Sequence, residues 1–91
     1  MAEQSKTERR KKTIQRINRI QGQLNGLKQA IDDDKDCEFL VIQAHAIEKA
    51  VSSLMLHMVG GYFDHQAPQQ LEDDPEETLR SIKRLFELSH R

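Results

Sequence analysis

The only cysteine of the chain, Cys37, follows the run "DDDKD", whose aspartates are Asp32, Asp33, Asp34 and Asp36. A thiol can serve as a soft metal ligand or as a nucleophile, and both uses need the thiolate. Asp34, Asp36 and Glu38 oppose that form, whereas the free N–H groups of a helix start favour it. The residues alone leave the balance open. A lone cysteine forms no internal disulfide, which argues against a secreted disulfide scaffold. A second group with chemistry is cationic. Arg9, Arg10, Lys11, Lys12, Arg16 and Arg19 fall within about three turns of helix, and residues 9, 12, 16 and 19 share one face. Such a stripe can neutralise several phosphates of a polyanion, with salt-sensitive affinity. A merely solvated helix face has the same composition. Neither a Ser/His/Asp nor a Cys/His/Asn set lies in plausible proximity, and there is no Gly-rich phosphate loop and no HExxH, so no enzyme is expected.

These groups need elements to position them. From Thr7 to Ile31 the residues Ile14, Ile17, Ile20, Leu24, Leu27 and Ile31 recur at steps of three and four, a helical stripe close to a heptad seam. Gly22 and Gly26 within it leave room for a close neighbour. "DDDKD" breaks the helix; its acids suit the N-terminus of the next helix better than the C-terminus of the first. A second helix is expected from about Asp36 to about Gln66, with Leu40, Ala44, Ile47, Val51, Leu54, Met58 and Tyr62 at helical spacing. Val41, Met55 and Val59 widen its stripe. Gly60-Gly61 is expected to loosen its last turns, and "QAPQQLEDD" around Pro68 to form a connector. Asp74-Pro75-Glu76-Glu77 reads as N-cap, N1 and N3 of a third helix, which carries Leu79, Ile82, Leu85 and Phe86 on one face. No segment has strand periodicity. The expectation is an all-α domain over residues 1–91, with two long helices, one short helix and a tail at residues 1–6.

Size and charge add two constraints. With 91 residues, 36% of them hydrophobic and no tryptophan, a core is hard to close within one chain. A 30-residue helix spans about 45 Å, too long for a short third helix to cover. Two helical hairpins packed antiparallel would bury both stripes in a four-helix-bundle dimer, with a dimer of dimers built through the third helix. The net charge of −1 hides an asymmetry: +6 over residues 1–30, −10 over 31–79 and +3 over 80–91. A basic first third on a nearly neutral chain fits a polyanion-binding face. Without an unbroken run of about 18 apolar residues, and with a polar start, a cytoplasmic protein with no membrane partner is expected.

The run "RINRIQGQLNGL" (residues 16–27), with Cys37 and then "VIQAHAIEKAVSSLMLHM" (residues 41–58) behind it, resembles the copper-sensing operon repressor family (CsoR) and its nickel/cobalt (RcnR) and formaldehyde (FrmR) branches. Arg16-x-x-Arg19-Ile20-x-Gly22-Gln23 matches the family's first helix, and Cys37 and Gln43 the start of its second. The resemblance implies an all-helical dimer or tetramer that binds operator DNA without a helix-turn-helix and releases it on sensing an effector. The cationic stripe agrees with that role, and DNA contacts are expected from Arg9, Arg10, Lys11, Lys12, Arg16 and Arg19, mostly to the backbone. A helical dimerisation module with no DNA role is the alternative of another class.

For the effector, the resemblance points to Cys37 and to the positions 25 and 29 residues later, which are Tyr62 and Gln66. Copper-type members carry His and Cys there, and Cu(I) prefers soft thiolate and imidazole donors. Nickel-type members also use an N-terminal His, and here the first histidine is His45. His65, with Asp64 and His57 nearby, is the alternative partner for Cys37 in binding Cu(I) or Ni(II). Tyr62 and His65 lie roughly 37–42 Å from Cys37 along one helix, so only an intersubunit site brings them together. The formaldehyde branch needs only a thiol and an amine, here Cys37 and the amine of Ala2 after removal of Met1. The expectation puts a thiol-directed electrophile such as formaldehyde ahead of a metal.

Overall fold

Ser5 starts the first helix: its side chain accepts a hydrogen bond from the Glu8 N–H at 3.1 Å, the S-x-x-E arrangement of a capped N-terminus. In the computed structural model, which describes residues 5–90, α1 then runs Lys6–Asp32 without interruption. Its end is a Schellman turn. The Lys35 N–H reaches the Ala30 carbonyl at 3.0 Å and the Asp34 N–H reaches that of Ile31 at 3.1 Å. Asp34 occupies the left-handed position, φ 58°, that glycine usually takes. Asp36 then caps α2, Cys37–His65, by accepting from the Phe39 N–H at 2.9 Å. The aspartate run is thus both stop and start, with Asp33 and Asp34 closing α1 and Asp36 opening α2.

The expected connector is itself helical. α3 covers Ala67–Asp73 and α4 covers Pro75–Ser89, so the described residues form four helices where three were expected. Pro68 sits in the first turn of α3, where no N–H donor is needed, and Gln69, Gln70, Leu71 and Glu72 are adequate helix formers. α4 begins as its residues indicate: Asp74 accepts from the Glu77 N–H at 3.1 Å. Thr78, 1% exposed, bonds the Asp74 carbonyl and locks that corner. No described residue lies in a strand.

α1 and α2 form an antiparallel hairpin. The row of α1 turned toward α2 is Arg9, Thr13, Arg16, Ile20, Gln23, Leu27 and Ala30, and only Ile20 and Ala30 of it are buried. Much of the apolar stripe points elsewhere, with Ile14 50%, Leu24 44% and Ile31 56% exposed. α2 buries Ile47 and leaves Val41, Ile42, Val51, Leu56 and Met58 in the open. By length and composition alone α2 is long and apolar enough to cross a membrane, which a search for an unbroken apolar run does not register. Gly22 and Gly26 face no atom within 4 Å. The chain measures 55 × 28 × 18 Å with a radius of gyration of 17.5 Å, against about 12 Å for a closed domain of this length.

Candidate functional site

The start of α1 lies against the end of α2. Arg9 Nη2 donates to the His57 carbonyl at 2.7 Å, and Nη1 stands 3.4 Å from the Asp64 carboxylate. The guanidinium rests on Gly60 and Gly61. That pair was expected to loosen α2; both glycines instead stay helical with negative φ, and their missing side chains make room for Arg9. One turn on, the Thr13 hydroxyl donates to the Arg9 carbonyl at 2.9 Å and lies 2.8 Å from His57 Nε2. The Thr13 hydroxyl thus bridges the Arg9 carbonyl of α1 and the His57 ring of α2. Burial, followed by the charges of Arg9, Arg16 and Lys12, holds His57 below the ordinary histidine value; the hydrogen bond with the Arg9 backbone opposes this only in part. His57 is therefore neutral at neutral pH.

The six expected DNA-binding cations thus divide. Arg9 is tied to α2, and Arg16 donates to Ser53 Oγ at 3.0 Å. Arg10, Lys11, Lys12 and Arg19 are exposed, with no side-chain hydrogen bond or ion pair among the described residues. They do not share one face: Arg10 lines the cleft beside His57 and Tyr62, whereas Lys12 and Arg19 fall on the opposite side of the helix.

Cys37 is exposed, in the first turn of α2. Tyr62 and His65 are near the other end of the same unbroken helix, so Cys37 meets neither within the chain. Tyr62 donates its hydroxyl proton to Gln70 of α3 and packs edge-on against Phe63, centroids 5.5 Å apart. Gln66 is the exposed junction between α2 and α3, its N–H bonded to the Tyr62 carbonyl at 2.9 Å. His65 lines an open cleft of about 470 Å³ together with Lys6, Arg10, Thr13, His57 and Tyr62. Its Nε2 is buried there without a hydrogen-bond partner among the described residues. Asp64 is engaged by Arg9. Ala2 lies outside the described residues. No three His, Cys, Asp or Glu side chains among the described residues converge on one point.

The residues missed from sequence are those that tie the helices together: Thr13, Ser53, Gly60, Gly61 and Gln70. One signal for them was present. Two adjacent glycines inside an otherwise strong helical pattern mark a close approach as readily as a break.

The chain matches the family described as "Metal-sensitive transcriptional repressor" over residues 9–88. It belongs to that family. Among curated relatives, an "Uncharacterized protein in bioA 5'region" of Serratia marcescens is 33% identical over 79 residues, covering 80% of this chain and 87% of the relative. The transcriptional repressor RcnR of Salmonella typhimurium is 33% identical over 73 residues, covering 79% and 81%. The copper-sensing transcriptional repressor CsoR of Bacillus subtilis is 24% identical over 72 residues, covering 78% and 71%. No solved structure matches the chain. As a metal-sensitive transcriptional repressor by family, the protein is a regulator and not an enzyme. The matched span takes in the cationic turns of α1, Cys37 and the whole of α2.

Proposed function

We propose that the chain binds operator DNA through the outward cations of α1, as a homodimer or homotetramer. It releases the DNA when an effector engages Cys37 together with the α2 C-terminal end of a partner subunit. The uncovered surface supports the assembly. The accessible area is 7353 Å², well above the roughly 5,500 Å² of a closed monomer of this mass. Two hairpins side by side would cover Ile14, Leu24, Val51 and Met58 and bring Cys37 of one subunit to the His65 end of the other. The cations support the DNA role, since a dimerisation module has no use for Arg10, Lys11, Lys12 and Arg19 held outward on one short segment.

One observation carries the choice of effector. Of the donors at the end of α2, His57 is bonded to Thr13, Tyr62 to Gln70 and Asp64 to Arg9, while His65 Nε2 is buried and has no partner among the described residues. A thiolate from Cys37 and an imidazole from the partner subunit's His65 make a two-donor soft set, which fits Cu(I) better than Ni(II). That moves the metal reading ahead of the electrophile that the comparison of family branches favoured. The electrophile keeps a specific support: α1 begins beside the end of α2, the end where a partner's Cys37 would arrive.

Titrating the protein–DNA complex with Cu(I), Ni(II), formaldehyde and a persulfide donor separates the readings. Cu(I) should release the DNA from the parent protein, whereas Cys37→Ala and His65→Gln should bind DNA normally and ignore Cu(I). Release by formaldehyde in His65→Gln, with no response to Cu(I) in the parent, would establish the electrophile instead. Unchanged DNA affinity in the Arg16→Ala/Arg19→Ala double variant at moderate salt would remove those two contacts from the interface.

A further inference from the structure

Of the cations assigned to the DNA face, one already has a seat within the chain. A Cβ built on Gly60 would come within 2.7 Å of Arg9 Nη2. One on Gly61 would lie 2.8 Å from Nε and 3.4 Å from Cδ. No side chain larger than hydrogen fits at either position while Arg9 stays where it is. The guanidinium is held by the His57 carbonyl and the Asp64 carboxylate, and only 17% of the Arg9 side chain is exposed. The Arg9 backbone is anchored as well, through Thr13 to His57. All of these contacts join the opening turns of α1 to residues 57–64 of α2. Arg10, Lys11 and Lys12 follow directly and are exposed.

We infer that Arg9 is a positioning residue: seated on Gly60 and Gly61, it fixes where Arg10, Lys11 and Lys12 present their charges, and it contacts no phosphate itself. The inference rests on the DNA-binding reading above. It accounts for two glycines kept side by side within a helix, where each is a poor helix former. It also gives the end of α2 a route to the DNA face. Residues 57–64 immediately precede His65, so a rearrangement there moves the seat, and Arg9 carries the first turns of α1 with it.

The glycines supply the decisive variants. Gly60→Ala and Gly61→Ala favour the helix and leave every charge in place, yet each forces the Arg9 guanidinium to shift from its present seat. Arg9→Lys keeps the charge but loses the planar fork. Each full-length variant, with Lys12→Gln as the phosphate control, is titrated over a range of salt against a labelled mixed-sequence duplex and against a duplex from upstream of its own gene. Amide exchange over residues 6–13 is followed in the free protein. The expected result is a several-fold loss of affinity in Gly60→Ala, Gly61→Ala and Arg9→Lys alike, with the parent's salt slope and faster exchange at 6–13. Lys12→Gln should flatten the slope by about one. Combining Arg9→Lys with Gly61→Ala should weaken binding no further than either alone. Parent-like binding in Arg9→Lys, together with silent glycine variants, would overturn the inference and return Arg9 to the phosphate contacts. Absence of DNA binding in every form, parent included, would sink the DNA-binding reading and the positioning role with it. Faster exchange in Gly60→Ala would then identify the seat as purely structural.

Discussion

The two ends of the α1–α2 hairpin are built by different rules. At the turn, every hydrogen bond joins near neighbours: Lys35 to Ala30, Asp34 to Ile31, Phe39 to Asp36, and Gln29 to Asp33. At the open end the bonds join residues far apart in sequence: Arg9 with His57, Thr13 with His57, and Arg16 with Ser53, at separations of 48, 44 and 37. The turn presents an exposed thiol and leaves it unengaged, whereas the open end ties Arg9, Thr13 and Arg16 across the hairpin to α2. Shape at the turn is decided by local backbone geometry; at the other end it is decided by which side chains the hairpin happens to oppose. The thiol and the unpartnered imidazole are kept apart by the full length of α2, so neither end completes a site within the chain.

Substitutions can break or sharpen this contrast. The largest effect is expected where both ends depend on one contact: Ile47→Ala, in the middle of the hairpin, should cost about 2–4 kcal/mol in urea unfolding and loosen both ends together. Removing the cap at the turn with Asp36→Ala should cost about 1 kcal/mol, and NMR should show the shifts confined to the first turn of α2, with the His57 ring resonances unmoved. Asp34→Gly should stabilise by roughly 0.5–1 kcal/mol, since glycine takes the left-handed position without strain and a negative charge leaves a helix C-terminus. A gain at the turn with no change at the open end would confirm that the two are independent.

The smallest effect is a pH dependence belonging to the open end. His57 is faced by Arg9, Lys12 and Arg16 from α1, with Asp64 of its own helix already paired to Arg9. Its value is lowered on folding, so as pH falls the unfolded chain takes up the proton first. The contribution is fully present above the ordinary histidine range and is lost as pH falls through the lowered His57 value. A modest decline in stability across that window should appear in the parent and vanish in His57→Gln. A decline that persists unchanged in His57→Gln would assign it to another group.

The contrast also explains what could be read in advance. The turn was legible: a break at "DDDKD", the start of α2 at Asp36-Cys37, and the start of α4 at Asp74-Pro75 all follow from capping chemistry within four residues. The seat of Arg9 was not, because Gly60-Gly61 is equally a helix weakener or a docking surface until its neighbour is known. Pro68 misled for a related reason; proline ends one helix and can begin the next, and here the helix continues after it to Asp73. Arg9 and Arg16 were grouped with the solvent-facing cations because spacing on a helix gives a face but not the direction it points. His65 could be named from its place in the chain, but its unpartnered nitrogen could not.

The apolar faces left open on α1 and α2 carry one more consequence, in the language of mass action. Under the proposed self-assembly, a fold completed by another copy of itself would have no stability separate from its concentration. Dilution should lower its melting temperature, and saturation should raise it. In a cell, such a repressor would stay assembled only above a threshold of its own abundance, so the number of copies made would itself be a regulatory input, acting before any effector arrives.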